Sequence, residues 1–161
     1  MEPEITLQLP PDLERWLDEL ARRVTRRAPL MEDIANIMLD AVDENFIQGG
    51  RPEWAALKYR DGKPLQLSGR LHNSIHPWSD NDLAVVGTNV IYAGIQNNGG
   101  KTRAHVIRPR NKKALYFNGR FANKVNHPGS DIPARPFLSL TEDDYTAIQQ
   151  AIIDHIAGHG E

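Results

Sequence analysis

Residues 85–100 read VVGTNVIYAGIQNNGG, and the parsing of this stretch decides the fold. Val85 and Val86 are β-branched and suit a strand. Gly87-Thr88-Asn89 is turn chemistry, and Val90 to Asn97 carries Tyr92, Ala93 and Gln96 at spacings that fit a short helix. Asn97-Asn98-Gly99-Gly100 then halts any regular element. The stretch sits in a middle region of short strands and turns, between a helical N-terminal third and a helical C-terminus. That order of elements predicts an α+β fold.

Working toward the N-terminus, Pro77-Trp78 and Leu83 to Gly87 are expected strands around the turn Asp80-Asn81-Asp82. Ser68 is a candidate N-cap for a short helix that buries Leu71 and Ile75 and ends at His76-Pro77. Residues 51–66, with Pro52, Gly62 and Pro64 around Trp54, Leu57 and Tyr59, read as an irregular loop. Residues 1–50 are mainly helical, apart from a short alternating strand over Ile5 to Leu9 that ends at Pro10-Pro11. From Asp12 to about Arg27, the side chains of Leu13, Trp16, Leu17, Leu20 and Val24 share one helical face. A second helix, from about Leu30 to Gln48, gathers Ile34, Ile37, Met38, Ala41, Val42 and Phe46 and stops at Gly49-Gly50. The two form an antiparallel hairpin or a bent pair, and their Trp and Met stripe suits packing against the core or a neighbouring subunit.

Working toward the C-terminus, Ala104 to Arg108 and Ala114 to Asn118 are expected to pair as a hairpin with a basic tip, Pro109-Arg110-Asn111-Lys112-Lys113. Asn118-Gly119 is a second turn, and Phe121 to Val125 continues the sheet. The aromatic residues of Leu115-Tyr116-Phe117 are expected in the core. Residues 127–136 hold three prolines and a glycine and predict an extended crossing. Thr141 with Asp144 makes a capping box for a last helix, whose stripe is Ile148, Ile152 and Ile156. The 161 residues are read as a single domain. It comprises a helical part (1–50), a loop (51–66), a small, mainly antiparallel sheet region (67–140) and a C-terminal helix (141–158) packed on that sheet.

The chain has no cysteine, which excludes disulfides and thiolate metal sites and agrees with a reducing compartment. The N-terminus lacks the apolar run of a signal peptide, and no run approaches the ~18 apolar residues of a membrane span. The net charge of −2 conceals a stripe pattern. Residues 1–50 carry five basic and eleven acidic groups, and residues 137–161 carry five acidic groups and no Lys or Arg. Residues 101–136 carry nine basic groups and one acidic group. A patch of this kind meets nucleic acid, an acidic protein surface, or the protein's own acidic helices.

Catalytic motifs are absent or incomplete. Gly99-Gly100-Lys101-Thr102 resembles the end of a phosphate-binding loop, but Ile95 stands where its first glycine belongs. The pairs His72/His76 and His155/His159 have helical spacing, yet neither has an obvious third ligand. Ser68, Ser74 and Ser130 lie in no nucleophile elbow. No enzyme activity, cofactor or metal is therefore expected. The basic residues Arg103, Arg108, Arg110, Lys112, Lys113, Arg120 and Lys124 are suited to phosphate contact without base readout.

Several short motifs then occur in a telling order. They are Leu67-Ser68-Gly69-Arg70-Leu71, Ser74-Ile75, Val86-Gly87-Thr88-Asn89, Tyr92-Ala93, His127-Pro128-Gly129 and Ile132-Pro133-Ala134-Arg135-Pro136-Phe137. Together they resemble the phage virion morphogenesis (tail completion) family of Mu-like and related contractile-tailed phages. That family is distantly similar to the head–tail connector proteins of siphophages. The resemblance covers residues 67–140 well and the flanking helices by position and type. Many members carry an acidic residue shortly after the Tyr-Ala pair, where this chain has Gln96-Asn97-Asn98.

The resemblance implies a structural protein of tail completion and head–tail joining, in the neck or tail of the virion and in the host cytoplasm during assembly. Its implied partners are further copies of itself in a ring, a hexamer among the forms, and the tail tube, tail terminator or neck proteins. Nonspecific contact with packaged DNA is also implied, and no membrane. In such a ring the seven basic residues would face the DNA channel or a neighbouring subunit. The charge pattern by itself supports an alternative, a nonspecific nucleic-acid-binding protein using residues 101–124.

Overall fold

The computed structural model describes residues 10–58, 60–117 and 119–158. The strand expected over Ile5 to Leu9 lies outside the described residues, as do Tyr59, Asn118 and His159. The fold is α+β, and every strand pairing is antiparallel.

Helix α1 (Pro11–Thr25) begins with Pro in its first turn, Asp12 and Glu14 near its positive end, and Arg22 and Arg23 near its negative end. Helix α2 (Ala28–Gln48) ends at Gly49. The two helices do not pack on each other as an antiparallel hairpin would. The corner between them is tied to a distant turn, where Asn81 Oδ1 accepts from the Arg27 amide at 2.8 Å and Arg27 pairs with Asp82. That turn joins β1 (His76–Ser79) to β2 (Ala84–Gly87), and Asp80 Oδ1 closes it by accepting from the Asp82 and Leu83 amides, each at 2.8 Å. The β1–β2 ribbon lies against α2. Leu71 and Ile75 are buried as expected, although only a 3-10 turn (His72–Ser74) forms between them. Helix α3 (Ala93–Asn98) follows.

The core gathers Val42 and Phe46 of α2 with Trp54, Leu71, Ile75, Val90, Ala93 and Phe137. Phe137 is fully buried and sits on an extended strap, residues 135–139, that belongs to no ladder. Its backbone needs side-chain partners, since a buried unpaired peptide group costs about as much as a lost hydrogen bond. Asn97 Oδ1 accepts from the Phe137 and Leu138 amides at 3.0 and 3.1 Å. Asn45 Nδ2 donates to the Phe137 and Ser139 carbonyls at 3.0 and 2.9 Å. Trp54 Nε1 donates to the Pro136 carbonyl at 3.2 Å.

The strap delivers the chain to α4 (Glu142–Ala157), whose expected capping box between Thr141 and Asp144 is present. This helix packs chiefly on α2, with α1 against its end, rather than across a sheet. The β1–β2 ribbon is too small to offer a sheet face, and a polar relay pulls the start of α4 onto α2. Asn45 Oδ1 accepts from Arg51 Nε at 2.8 Å, and Arg51 in turn donates to Asp144 Oδ2 at 3.0 Å.

Beyond α3 the expected sheet is replaced by one long two-stranded arm built of three nested ladders. These pair β3 (Gly100–Lys101) with β8 (Asp131–Ile132), β4 (His105–Ile107) with β7 (Val125–His127), and β5 (Leu115–Phe117) with β6 (Arg120–Ala122). The expected pairing of 104–108 with 114–118 is therefore wrong. The turn at Gly119, with φ +75°, brings β5 to its nearest neighbour β6. The segment around Pro109, which lacks an amide hydrogen for a ladder, becomes a bulge on one strand and not the tip. At the base of the arm the strands touch closely. Gly129 has φ +93°, and a Cβ there would lie 2.2 Å from the Thr102 carbonyl oxygen.

Two predictions follow from these contacts. Burial opposes the Asp144 charge, but hydrogen bonds from Thr141 and the Arg51 guanidinium outweigh it, so the carboxyl is held below its ordinary range. A depressed carboxylate contributes stability that is present above the unfolded pKa of about 3.9 and is lost as pH falls through the folded value. Asp144→Asn should lower unfolding free energy by about 2 kcal/mol near neutral pH, and the gap to the unsubstituted protein should close below about pH 4. Urea melts across pH check both. Gly129→Ala should abolish hydrogen-exchange protection of the Thr102 and Ser130 amides while leaving α2 protected, and unchanged protection at Thr102 would count against the close contact.

Candidate interaction surface

The seven basic residues singled out from sequence all fall on the arm, and all are exposed. Arg103 follows β3, and Arg108 follows β4. Arg110, Lys112 and Lys113 lie in the bulge, Arg120 opens β6, and Lys124 links β6 to β7. The bulge arises because seven residues, Arg108 to Ala114, stand opposite two, Asn123 and Lys124. Among the described residues none of the seven side chains forms an ion pair or donates a hydrogen bond. The notion that this segment neutralises the protein's own acidic helices is thus not met. Lys101 differs, lying 3.8 Å from Asp131 at the arm's base.

Arg135, the ninth cation of the basic segment, does not belong to this surface. It is buried, and its Nε donates to the Ala55 carbonyl at 3.0 Å, which ties the strap to the 51–66 loop. Charge counting alone could not separate it from the others. Its neighbour Phe137 was the available signal, since that residue has to enter the core.

Apolar side chains on the arm are exposed with the cations. Tyr116 and Phe121 are 67% and 77% exposed and lean on each other with centroids 4.9 Å apart. This corrects the expectation that Tyr116 would enter the core; a two-stranded ribbon with no covering layer has no interior to offer. The side chain of Phe117 is not described. Nearer the body, His105 and His127 stack at 5.1 Å, and Val106 is exposed on the opposite face. Between Gly100 and Ala134 no described side chain is buried. The shorter strand, residues 120–132, would span on the order of 40 Å if straight.

A second uncovered surface lies on α1. Leu13, Trp16, Leu17 and Val24 of its apolar stripe are all exposed, Trp16 by 58%, and no residue of α1 is buried. The stripe fails to reach the core because, among the described residues, α1 is anchored by its last turns. There His155 Nε2 donates to the Arg23 carbonyl at 3.0 Å. Exposed acids flank the stripe. Asp12 and Glu19 pair with Arg15 and Arg23, while Glu14 and Asp18 have no ion pair among the described residues.

Several of the remaining candidates have local partners. His72 lies 2.8 Å from Asp43 and stacks on Phe46, and Ser74 Oγ donates to the Leu71 carbonyl at 2.7 Å. Ser68 Oγ and Thr102 Oγ1 accept from the amides of Arg70 and Ser130. Among the described residues, no three His, Asp or Glu side chains converge in a way that could hold a metal ion. No described helix is long and apolar enough to cross a membrane.

Comparison with known proteins agrees with the motif order. The profile of the phage virion morphogenesis family matches residues 11–157, which include both flanking helices, the strap and the arm. "Mu-like prophage FluMu G protein 2" of Haemophilus influenzae (strain ATCC 51907 / DSM 11121 / KW20 / Rd) is 38% identical over 152 residues, 94% of each chain. No solved structure matches. With nearly its whole length matched on both counts, this chain belongs to the phage virion morphogenesis family.

Proposed function

We propose that the protein is a structural, non-catalytic component of tail completion and head–tail joining. In this reading it acts as a ring-forming subunit at the neck or the head-proximal end of the tail. Family membership supports a morphogenesis role. The observation that carries the finer reading is the arm, a long ribbon with seven exposed cations that lack internal partners among the described residues and an aromatic pair open to water. Exposed apolar residues rimmed by charge are characteristic of surfaces that become covered on assembly. The partners this suits are further copies of the chain, the tail tube, and the tail terminator or neck proteins. Packaged DNA would pass close enough for nonspecific phosphate contact. Such a protein works in the host cytoplasm during assembly and stays in the virion.

A second reading, nonspecific nucleic-acid binding by residues 101–124, is favoured by the unpaired state of the same cations. The two differ in what salt and tails do. A DNA binder holds random duplex tightly at low salt and loses it steeply as salt rises. An assembly subunit changes mass when tails are supplied.

Light scattering on the purified protein, with and without tail tubes, should show a ring-sized oligomer or conversion from monomer on tails. Changing Arg108, Arg110, Lys112 and Lys113 together to Ala should lower infectious titre in a complementation assay by about tenfold or more, with the fold intact by circular dichroism. Unchanged titre would falsify the role given to the arm.

A further inference from the structure

We propose that the arm of one protomer lies along the α1 face of a second copy of this chain. The inference rests on the assembly reading above and names the two surfaces that meet. Among the described residues each is unpartnered within its own protomer, apart from the last turns of α1. The arm's strands pack on one another, and α1 touches the end of α4. The two surfaces are complementary in both of their properties. The arm offers Tyr116 and Phe121 among cations, and α1 offers Trp16 and Leu17 beside Glu14 and Asp18.

The arm of the same molecule is not the partner, because its base is closed. Thr102 and Ser130 exchange hydrogen bonds across the strands at 2.9 and 2.8 Å, and Gly129 packs against the Thr102 carbonyl. DNA suits the cations and leaves α1 unexplained, since the first ten residues of α1 carry four acids against Arg15 and repel phosphate. A second copy covers both surfaces with a single kind of contact. Opposite charge orients the encounter, and the apolar residues stand to be buried at the centre. The donor and acceptor surfaces differ, so the contact is head-to-tail. Repetition closes a ring where the rotation permits and otherwise extends a filament.

The chain contains no cysteine, so introduced thiols report contacts without background. Full-length Leu17→Cys and Phe121→Cys proteins, mixed under mild oxidation, should form the mixed disulfide about tenfold faster than either forms its own. Salt near ~1 M, where the Debye length is about 3 Å, should slow that reaction. Homodimers formed as fast as the mixed species would overturn the proposal, as would the absence of any mixed disulfide.

Charge reversal gives an independent reading at four exposed positions. Lys112→Glu with Lys113→Glu, or Glu14→Lys with Asp18→Lys, should each weaken self-association about tenfold by light scattering, and mixing the two variants should restore it. No restoration in the mixture would also overturn the proposal. So would an arm reversal that abolishes duplex binding and leaves self-association untouched. If the mixed disulfide forms but the arm reversal leaves titre unchanged in complementation, the contact stands and the morphogenesis role of the arm falls.

Discussion

One buried amide, that of Asn45, holds the fold together. The strap that carries Phe137 into the core is neither helix nor paired strand, so its carbonyls must find donors elsewhere. Asn45 supplies two of those hydrogen bonds through one nitrogen, and its oxygen takes Arg51. Each orphaned group in such a place costs about 1–3 kcal/mol, so a helix side chain here stands in for a missing neighbouring strand. From Arg51 the relay runs to Asp144 and the first turn of α4. The placement of the C-terminal helix thus depends on the same amide that seats the strap.

The body and the arm solve opposite problems. In the body, side chains saturate a strap that has no ladder, and no buried side-chain polar atom is left without a partner among the described residues. In the arm, ladders saturate the backbone, and the side chains are left over. Stability therefore draws on residues other than those the arm leaves exposed. Helices α2 and α4 carry nine acids and no Lys or Arg, α1 mixes both signs, and the ribbon carries eight cations against Asp131, so the molecule keeps much of its charge at separate places despite a net charge of only −2. A charge separation of this kind orients approaching partners more than it strengthens the final contact.

Much of this was legible in the sequence, and the losses have a common cause. The three long helices, the Asp80 turn, the capping box and the burial of Leu71 and Ile75 follow from local periodicity and turn chemistry. The arm's pairing did not, because two short apolar runs flanking a polar link look like a hairpin wherever they occur. Which runs pair was decided by the turn at Gly119 and by a strand twenty residues downstream of β4. The exposure of Trp16 and Tyr116 was equally hidden. A stripe announces that a face wants covering without saying whether its own chain can reach it. For the basic residues, the sequence shows nine cations sharing one segment, and the fold shows that Arg135 among them is a core residue while the seven singled out are exposed.

The unequal strands of the arm have a consequence for how such a protein diversifies. Register in the outer and inner ladders is set on either side of the bulge, so residues 108–114 form a loop that can lengthen or shorten without turning any paired side chain to the other face. A doubling of a flexible loop costs only about 0.6 kcal/mol in closure entropy. On the opposite strand, one inserted residue within Val125–His127 would flip the faces of the ladder. Changes of length are thereby tolerated best in one segment, the one richest in cations.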